Sequence, residues 1–350
     1  MARIEVQAHS ASVVSGDWGP AIQAAVNALA AGKGGQLVFP TSDIEWRTGV
    51  FINMPLNCDI DFVWQGGMIT VGGTTVANTN TPGVVIFQCG NVNRFSCNLK
   101  FLGHGEKNIE PTVAKTVDCL NLFALGAKRA VLDRCDIMAV LAAGAIVNSS
   151  ANLSIIDCLI DGCGTTSATV GVVHLPADHQ GLTVDRVSFI DFANYNGTGI
   201  SKTNHPSASA TNRIWTNKGY WIRVEQPGGS NGTGGREIAV LNSVFDEGAP
   251  GSLYADGGAN WIDLLWRGNN SNVGNNLINT DGIPINARAL KLNKVRGEII
   301  NSGATLANEA DAVSLPWLEA TNSNLTIRGR GKTTYVNRKV KDAATIIKET

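Results

Sequence analysis

The chain has 350 residues, a formal net charge of −1 and only 16% charged residues, while 43% are hydrophobic and 39 are glycine. That balance excludes a duplex nucleic-acid binder, which needs a basic face to neutralise phosphates, and it excludes a disordered chain, because there is ample apolar material for a core. The longest apolar stretch, Met138 to Val147, is too short to span a bilayer, and Met1-Ala2-Arg3-Ile4-Glu5-Val6 lacks the apolar run and cleavage site of a secretory signal, so folding in a cytoplasm is expected.

The first predicted element is a helix. From Asp17 to Leu29 the spacing puts Trp18, Ile22, Ala25, Val26 and Leu29 on one face, with Asp17 as expected N-cap and Pro20 in the first turn, where its missing N–H costs nothing. Gly32, Gly34 and Gly35 stop it and lead into the β-run Leu37-Val38-Phe39-Pro40. An amphipathic helix in that place reads as a plug laid over the open end of a solenoid. Seven cysteines follow, Cys58, Cys89, Cys97, Cys119, Cys135, Cys158 and Cys163, without paired metal-type spacing, and read as small buried thiols on successive β-rungs.

Beyond the helix a short unit recurs: an apolar residue, Asn or Asp, often Arg or Lys, then an apolar residue. It is seen at Val92-Asn93-Arg94-Phe95, Leu132-Asp133-Arg134-Cys135, Ile156-Asp157-Cys158-Leu159, Val184-Asp185-Arg186-Val187, Leu241-Asn242-Ser243-Val244 and Leu292-Asn293-Lys294-Val295. Asp133 to Asp157 is 24 positions and Asp157 to Asp185 is 28, a period that belongs to a solenoid. The wider gaps fit one or two further turns with loop insertions. Asn and Asp suit such a slot because they tolerate left-handed backbone angles at a sharp bend between strands. All six are therefore expected at equivalent bends along one edge, and roughly 11 rungs at about 4.8 Å would give a rod about 50 Å long.

The stretch from Asp17 to Leu29, followed by Gly34-Gly35-Gln36-Leu37-Val38-Phe39-Pro40, resembles the opening signature of the pectate-lyase-like β-helix superfamily, and especially of phage tailspike-type proteins. The resemblance implies an all-β, right-handed single-stranded parallel β-helix with an N-terminal capping helix. On this reading residues 1–36 are the N-terminal strand and cap, 37–330 the β-helix with a polar loop excursion at 194–236, and 331–350 a closing segment in which Val340 to Ile347 forms a short helix or strand. Within the excursion, Tyr220-Trp221-Ile222-Arg223-Val224-Glu225 reads as a strand. The resemblance further implies a virion protein, assembled in a host cytoplasm as a homotrimer alongside other virion proteins, that binds a bacterial surface polysaccharide, with or without depolymerising it. A non-catalytic structural or adhesive virion component, such as a fibre, collar or decoration protein, is the alternative, and a free polysaccharide lyase or glycoside hydrolase a further one. No cofactor is implied, nor nucleic acid as a partner, nor membrane insertion.

Cleavage of a polysaccharide needs carboxylates on one solvent-facing wall, and binding uses flat rings against sugar faces. Asp246, Glu247 and Asp256 are the candidate catalytic residues, with Asp263 beside them; Trp215, Trp221, Tyr254, Trp261 and Trp266 are the candidate sugar-binding rings. Asn279-Thr280-Asp281-Gly282 is similar to the Asn-Thr-Asp motif of polygalacturonase-type hydrolases, with Asp311 as a loose second carboxylate. The adjacent aspartate pair is missing, however, and Gly103-His104-Gly105 lies upstream in the wrong order. His174 and His179 alone among the histidines are close enough to share a site, and no further ligands for a metal accompany them.

Overall fold

The computed structural model describes residues 2–55, 57–72, 86–88, 92–103, 119, 121–142, 145–148, 152–165, 170–176, 181–190, 193–194, 220–225, 236–245, 251–258, 260–273, 290–306, 318–329 and 339–350. Every strand ladder in it is parallel, in sheets of 12, 10 and 9 strands with a small three-stranded accessory sheet. One coil shows the plan: Arg129–Asp133 lies in the 12-stranded sheet (wall A), Asp136–Met138 in the 9-stranded sheet (wall B), Ile146–Asn148 in the 10-stranded sheet (wall C), and Asn152–Ile156 returns to wall A beside Arg129–Asp133. Repetition of that path makes a right-handed parallel β-helix. Side chains alternate inward and outward along each strand, as the buried positions of Cys58–Val63 illustrate.

The coils vary in length while the register holds. Asp133 pairs with Ile156, Ile156 with Asp185 and Asp185 with Leu241, so successive turns take 23, 29 and 56 residues. The long gap before Asn242 is thus a single turn with insertions, and Tyr220–Glu225 is a wall C strand inside it.

The bend column needs a correction. Between walls A and B the left-handed residues are Arg134, Asp157, Arg186, Asn242, Gly268, Asn301 and Gly329. Asp157 and Asn242 occupy this bend, and Asp133 and Asp185 are the strand residues just before it. Asn93 instead sits in an irregularity at the start of Val92–Cys97, and Asn293 ends a wall C strand at the bend into wall A, where Lys294 takes the left-handed conformation. The physical reason is that Asn and Asp ease any sharp bend, so the same tripeptide arises at different corners.

The residue after each A-to-B bend points inward and stitches rungs together. The amide of Cys135 donates to Cys158 Sγ (3.3 Å), that of Val187 to Ser243 Oγ (3.1 Å), that of Ser243 to Asn269 Oδ1 (2.9 Å) and that of Asn269 to Ser302 Oγ (3.2 Å). Small polarisable or polar side chains recur there, Val187 excepted, because bend amides fall outside the ladder and such groups satisfy them. This explains part of the cysteine clustering: Cys58, Cys97, Cys119, Cys135, Cys158 and Cys163 are all buried free thiols, and Cys89 lies outside the described residues. Among the aliphatic side chains of the interior run two aromatic series, Phe39, Phe62 and Phe95 meeting tilted and edge-on near one end, and Phe189, Phe245 and Trp266 stacked further along.

At the N-terminal end, Ala2–Glu5 adds a strand to wall A, a 3-10 helix spans Val6–Ser12, and helix α1 (Gly19–Ala31) buries Ala21, Ile22, Ala25, Val26 and Leu29 against the first rung. The expected cap differs in detail. Trp18 holds the cap position, and Asp17 receives the amides of Gly19 (2.9 Å) and Arg47 (2.9 Å) and the Thr48 hydroxyl, tying the helix start to the first coil. Burial pushes the Asp17 carboxyl up, but those donors outweigh it and hold the group below its ordinary range. At the other end Lys339–Lys341 and Ile346–Glu349 are strands that continue walls C and A. No helix among the described residues is long and apolar enough to cross a membrane.

Candidate functional site

Five consecutive wall C strands, Gly171–Leu175, Tyr220–Glu225, Leu253–Asp256, Leu290–Asn293 and Leu318–Thr321, carry the polar surface richest in chemistry. Parallel register stacks their outward positions into two rows. The central row is His174, Arg223, Tyr254, Lys291 and Glu319; the row at the exit edge is Glu225, Asp256, Asn293 and Thr321.

The central row is internally engaged. Arg223 lies over the Tyr254 ring at 4.4 Å while donating from Nε to Glu225 (2.7 Å), and Lys291 approaches the same ring at 5.9 Å and Glu319 at 3.9 Å. Tyr220 adds a tilted ring contact to Tyr254 at 5.5 Å. Tyr254 thus has neighbours on both sides along the rod. Burial and the nearby Asp256 carboxylate push its phenol up, against the opposing effect of Arg223. His174, with its side chain 13% exposed, places Nε2 3.6 Å from Glu225 Oε2. Burial pushes the imidazole pKa down, Arg223 adds to that, and Glu225 opposes it.

The edge row is a hydrogen-bonded ladder. Asp256 accepts from the Gly258 amide (2.9 Å), Asn293 Nδ2 (2.9 Å) and the Tyr254 hydroxyl (3.3 Å), and Thr321 donates to Asn293 Oδ1 (3.1 Å). The chain then turns sharply into wall A through Gly257 and Gly258. A Cβ at Gly257 would lie 2.2 Å from the Asn260 carbonyl oxygen, and Gly258 has φ +55°. The turn delivers Trp261, 37% exposed, to the C-to-A corner.

Of the residues singled out in the sequence, Tyr254, Asp256 and Trp261 therefore meet on one wall and its corner. Trp221 and Trp266 do not. Both indoles are core residues, 1% and 2% exposed, Trp221 packed on Phe189 and Trp266 on Phe245. Tyr220 reaches Tyr254 while Trp221 and Ile222 are buried, so alternation breaks at the strand start, and parity counted along the sequence misplaces the indole. Asp263 is on wall A, paired with Arg296. Asp246, Glu247, Trp215, Asn279 to Gly282, Asp311, His104 and His179 lie outside the described residues. His174, Arg223, Glu225, Lys291, Glu319, Asn293 and Thr321 were not marked as site residues. Apart from His174, noted beside His179, and Asn293, noted as a bend residue, their sequence signal was outward parity in short strands, and their juxtaposition depends on register across long insertions.

Chemically, Glu225 and Asp256 are register partners and so stand about 4.8 Å apart at Cα, near the separation of about 5 Å used by retaining glycosidases. That spacing is inherent in any two adjacent rungs and diagnoses nothing alone. More telling is that Arg223 binds Glu225 and three donors bind Asp256. No metal-holding cluster of His, Cys, Asp or Glu occurs among the described residues.

No family model matches the chain. No curated protein matches it either. Among solved structures, the Streptococcus pneumoniae surface protein and adhesin PfbA is similar at 12% identity and TM-score 0.46, over 99% of this chain and 100% of that one. The Dettilon tailspike protein is similar at 12% identity and TM-score 0.46, over 99% of this chain and 68% of that one. Tailspike protein 3 of bacteriophage CBA120 matches at 12% identity and TM-score 0.27, over 99% and 59%. The likeness is one of fold.

Proposed function

We propose that this protein is a tailspike-like virion component that binds a bacterial surface polysaccharide along the outer face of wall C and its corner with wall A. The observation that carries the reading is the placement of exposed Trp261 at the C-to-A corner, between the wall C strand that ends at Asp256, the start of the Asp256–Asn293–Thr321 ladder, and the wall A strand Ile262–Arg267. An indole face offers a platform for a pyranose ring, and a row of amide, hydroxyl and carboxylate groups repeated at about 4.8 Å offers hydrogen bonds to an extended chain of hydroxyls. Binding is the reading these groups support, because three internal donors fix Asp256 and Arg223 fixes Glu225 Oε1 in place on the wall. Side-by-side packing into a homotrimer fits the rod and the threefold symmetry of virion attachment.

The test is a panel of bacterial capsule and O-antigen polysaccharides, scored for retention on the protein and for release of oligosaccharides. Retention that is lost in Trp261→Ala, with no release, is expected. Release abolished by Asp246→Asn or Glu247→Gln would make the protein a depolymerase instead. Absence of retention across the panel would leave the structural-component reading as the better one, and a monomer mass by light scattering would overturn the trimer.

A further inference from the structure

Three of the buried thiols form a cluster with a polarity of its own. Cys97, Cys135 and Cys158 come from successive coils, and Cys135 hydrogen-bonds to each of the other two. Cys135 Sγ contacts the Cys97 carbonyl oxygen at 3.2 Å, and the Cys135 amide donates to Cys158 Sγ at 3.3 Å. The flanking register, Asp133 with Ile156 and Asp136 with Leu159, places Cys135 directly opposite Cys158 on neighbouring rungs. Cys97 is offset, because its register partner is Leu132.

We propose that Cys135 and Cys158 are a cross-rung dithiol that closes to a disulfide when the protein meets a small-molecule disulfide oxidant. Register partners on parallel strands are about 4.8 Å apart, inside the Cα range of about 4.4 to 6.8 Å that a disulfide spans. The two thiols also divide the chemistry. Hydrogen bonding with the Cys135 side chain and amide holds the Cys158 thiol below its ordinary value against its own burial, while complete burial drives the Cys135 thiol up. Cys158 is therefore the attacking sulfur. Its thiolate attacks one sulfur of the oxidant, forming a mixed disulfide and expelling the other oxidant sulfur as thiolate. Cys135, losing its proton to that leaving thiolate, then attacks Cys158 Sγ and expels the second. Two thiols of the protein are oxidised and one disulfide of the oxidant is reduced to two thiols. The bond would tie two coils at the A-to-B corner without crossing a loop or moving a strand.

The experiment uses the full chain, incubated natively with oxidised dithiothreitol to constant mass, then alkylated in denaturant and mapped as peptides. Loss of the mass of two hydrogen atoms is expected, with one cross-linked pair containing Cys135 and Cys158. Cys97→Ser should leave the cross-link intact, and Cys135→Ser or Cys158→Ser should each abolish it. A chain that keeps every thiol alkylatable, or one whose cross-link joins Cys97 or any other cysteine, would overturn the proposal. Circular dichroism of each serine variant, matching that of the parent, shows that loss of the cross-link is not loss of fold.

Discussion

Replacing Asn269 by alanine should cost far more stability than replacing Asn242, although both belong to the same corner of the rod. Asn269 is 2% exposed; its Oδ1 accepts the Ser243 amide at 2.9 Å and its Nδ2 donates to the Val240 carbonyl at 2.7 Å. Alanine leaves the Ser243 amide buried and unpaired, at about 1–3 kcal/mol, and removes a second bond to the Val240 carbonyl, which keeps its ladder donor Arg267, at about 1 kcal/mol, for a total of about 3 kcal/mol. Asn242 is exposed at φ 49° and donates to Asp185 Oδ1 at 3.1 Å, so alanine there loses a solvated hydrogen bond and the left-handed tolerance of Asn, about 1–2 kcal/mol together. Equilibrium urea unfolding gives the two costs, and hydrogen exchange at the Ser243 amide gives a local readout that should rise only in Asn269→Ala. Equal costs for the two variants, or an unchanged Ser243 exchange rate, would refute the claim that inward bend residues rather than outward ones hold the corner.

Trp221→Ala should destabilise the fold by about 3–5 kcal/mol, as a large core truncation does, whereas Trp261→Ala should shift stability by less than about 0.5 kcal/mol; thermal unfolding of the pair separates core from surface indole. His174 holds its proton less tightly folded than unfolded, so the unfolded chain takes up a proton first as pH falls through about 6.5, and stability drops between that value and the lower folded pKa. His174→Gln should therefore show a smaller fall in urea midpoint from about pH 7 to about pH 5, and an identical fall would count against the buried neutral imidazole. Gly329→Ala should cost about 1–3 kcal/mol by urea unfolding, because φ is +66° and the new Cβ would lie 2.0 Å from Asn301 Oδ1. Removal of residues 1–35 should yield aggregating protein on size exclusion, since it strips helix α1 and the wall A strand Ala2–Glu5 from the first rung; soluble folded material would show that the plug is dispensable.

The β-helix was legible because its period survives local variation: Asp133, Asp157, Asp185 and Asn242 all fall within one residue of a single corner. Asn93 and Asn293 were misplaced because the same residue types serve every corner, and only hydrogen-bond register tells corners apart. The cysteines were legible as buried rungs, since a small apolar side chain with a weak donor suits an inward bend. Of the rings singled out, Trp261 is exposed at a corner and Tyr254 half-buried on wall C, while Trp221 and Trp266 sit in the core, because a coil of stacked rungs has an interior wide enough for aromatic ladders. Arg223 and Glu225 could be read as outward from strand parity, but their neighbours His174 and Tyr254 are 49 and 31 positions from Arg223 and become contacts only through pairing.

Stacking also decides where on such a rod a ligand can be met by a ring. At the centre of a wall, each outward side chain has a neighbour about 4.8 Å above and below it, so a ring lying across the rod has its faces covered before any ligand arrives. Tyr254 between Arg223 and Lys291 is that case. A corner is different, because the turn residues leave the ladder and their side chains are no longer bracketed. Trp261 follows the tight turn at Gly257 and Gly258 and keeps an exposed ring. The same logic weakens any inference of catalysis from carboxylate spacing, because pairing places every adjacent pair near the required separation. What distinguishes these two carboxylates is their fixation: Arg223 holds Glu225 Oε1, and Tyr254, Asn293 and the Gly258 amide hold Asp256.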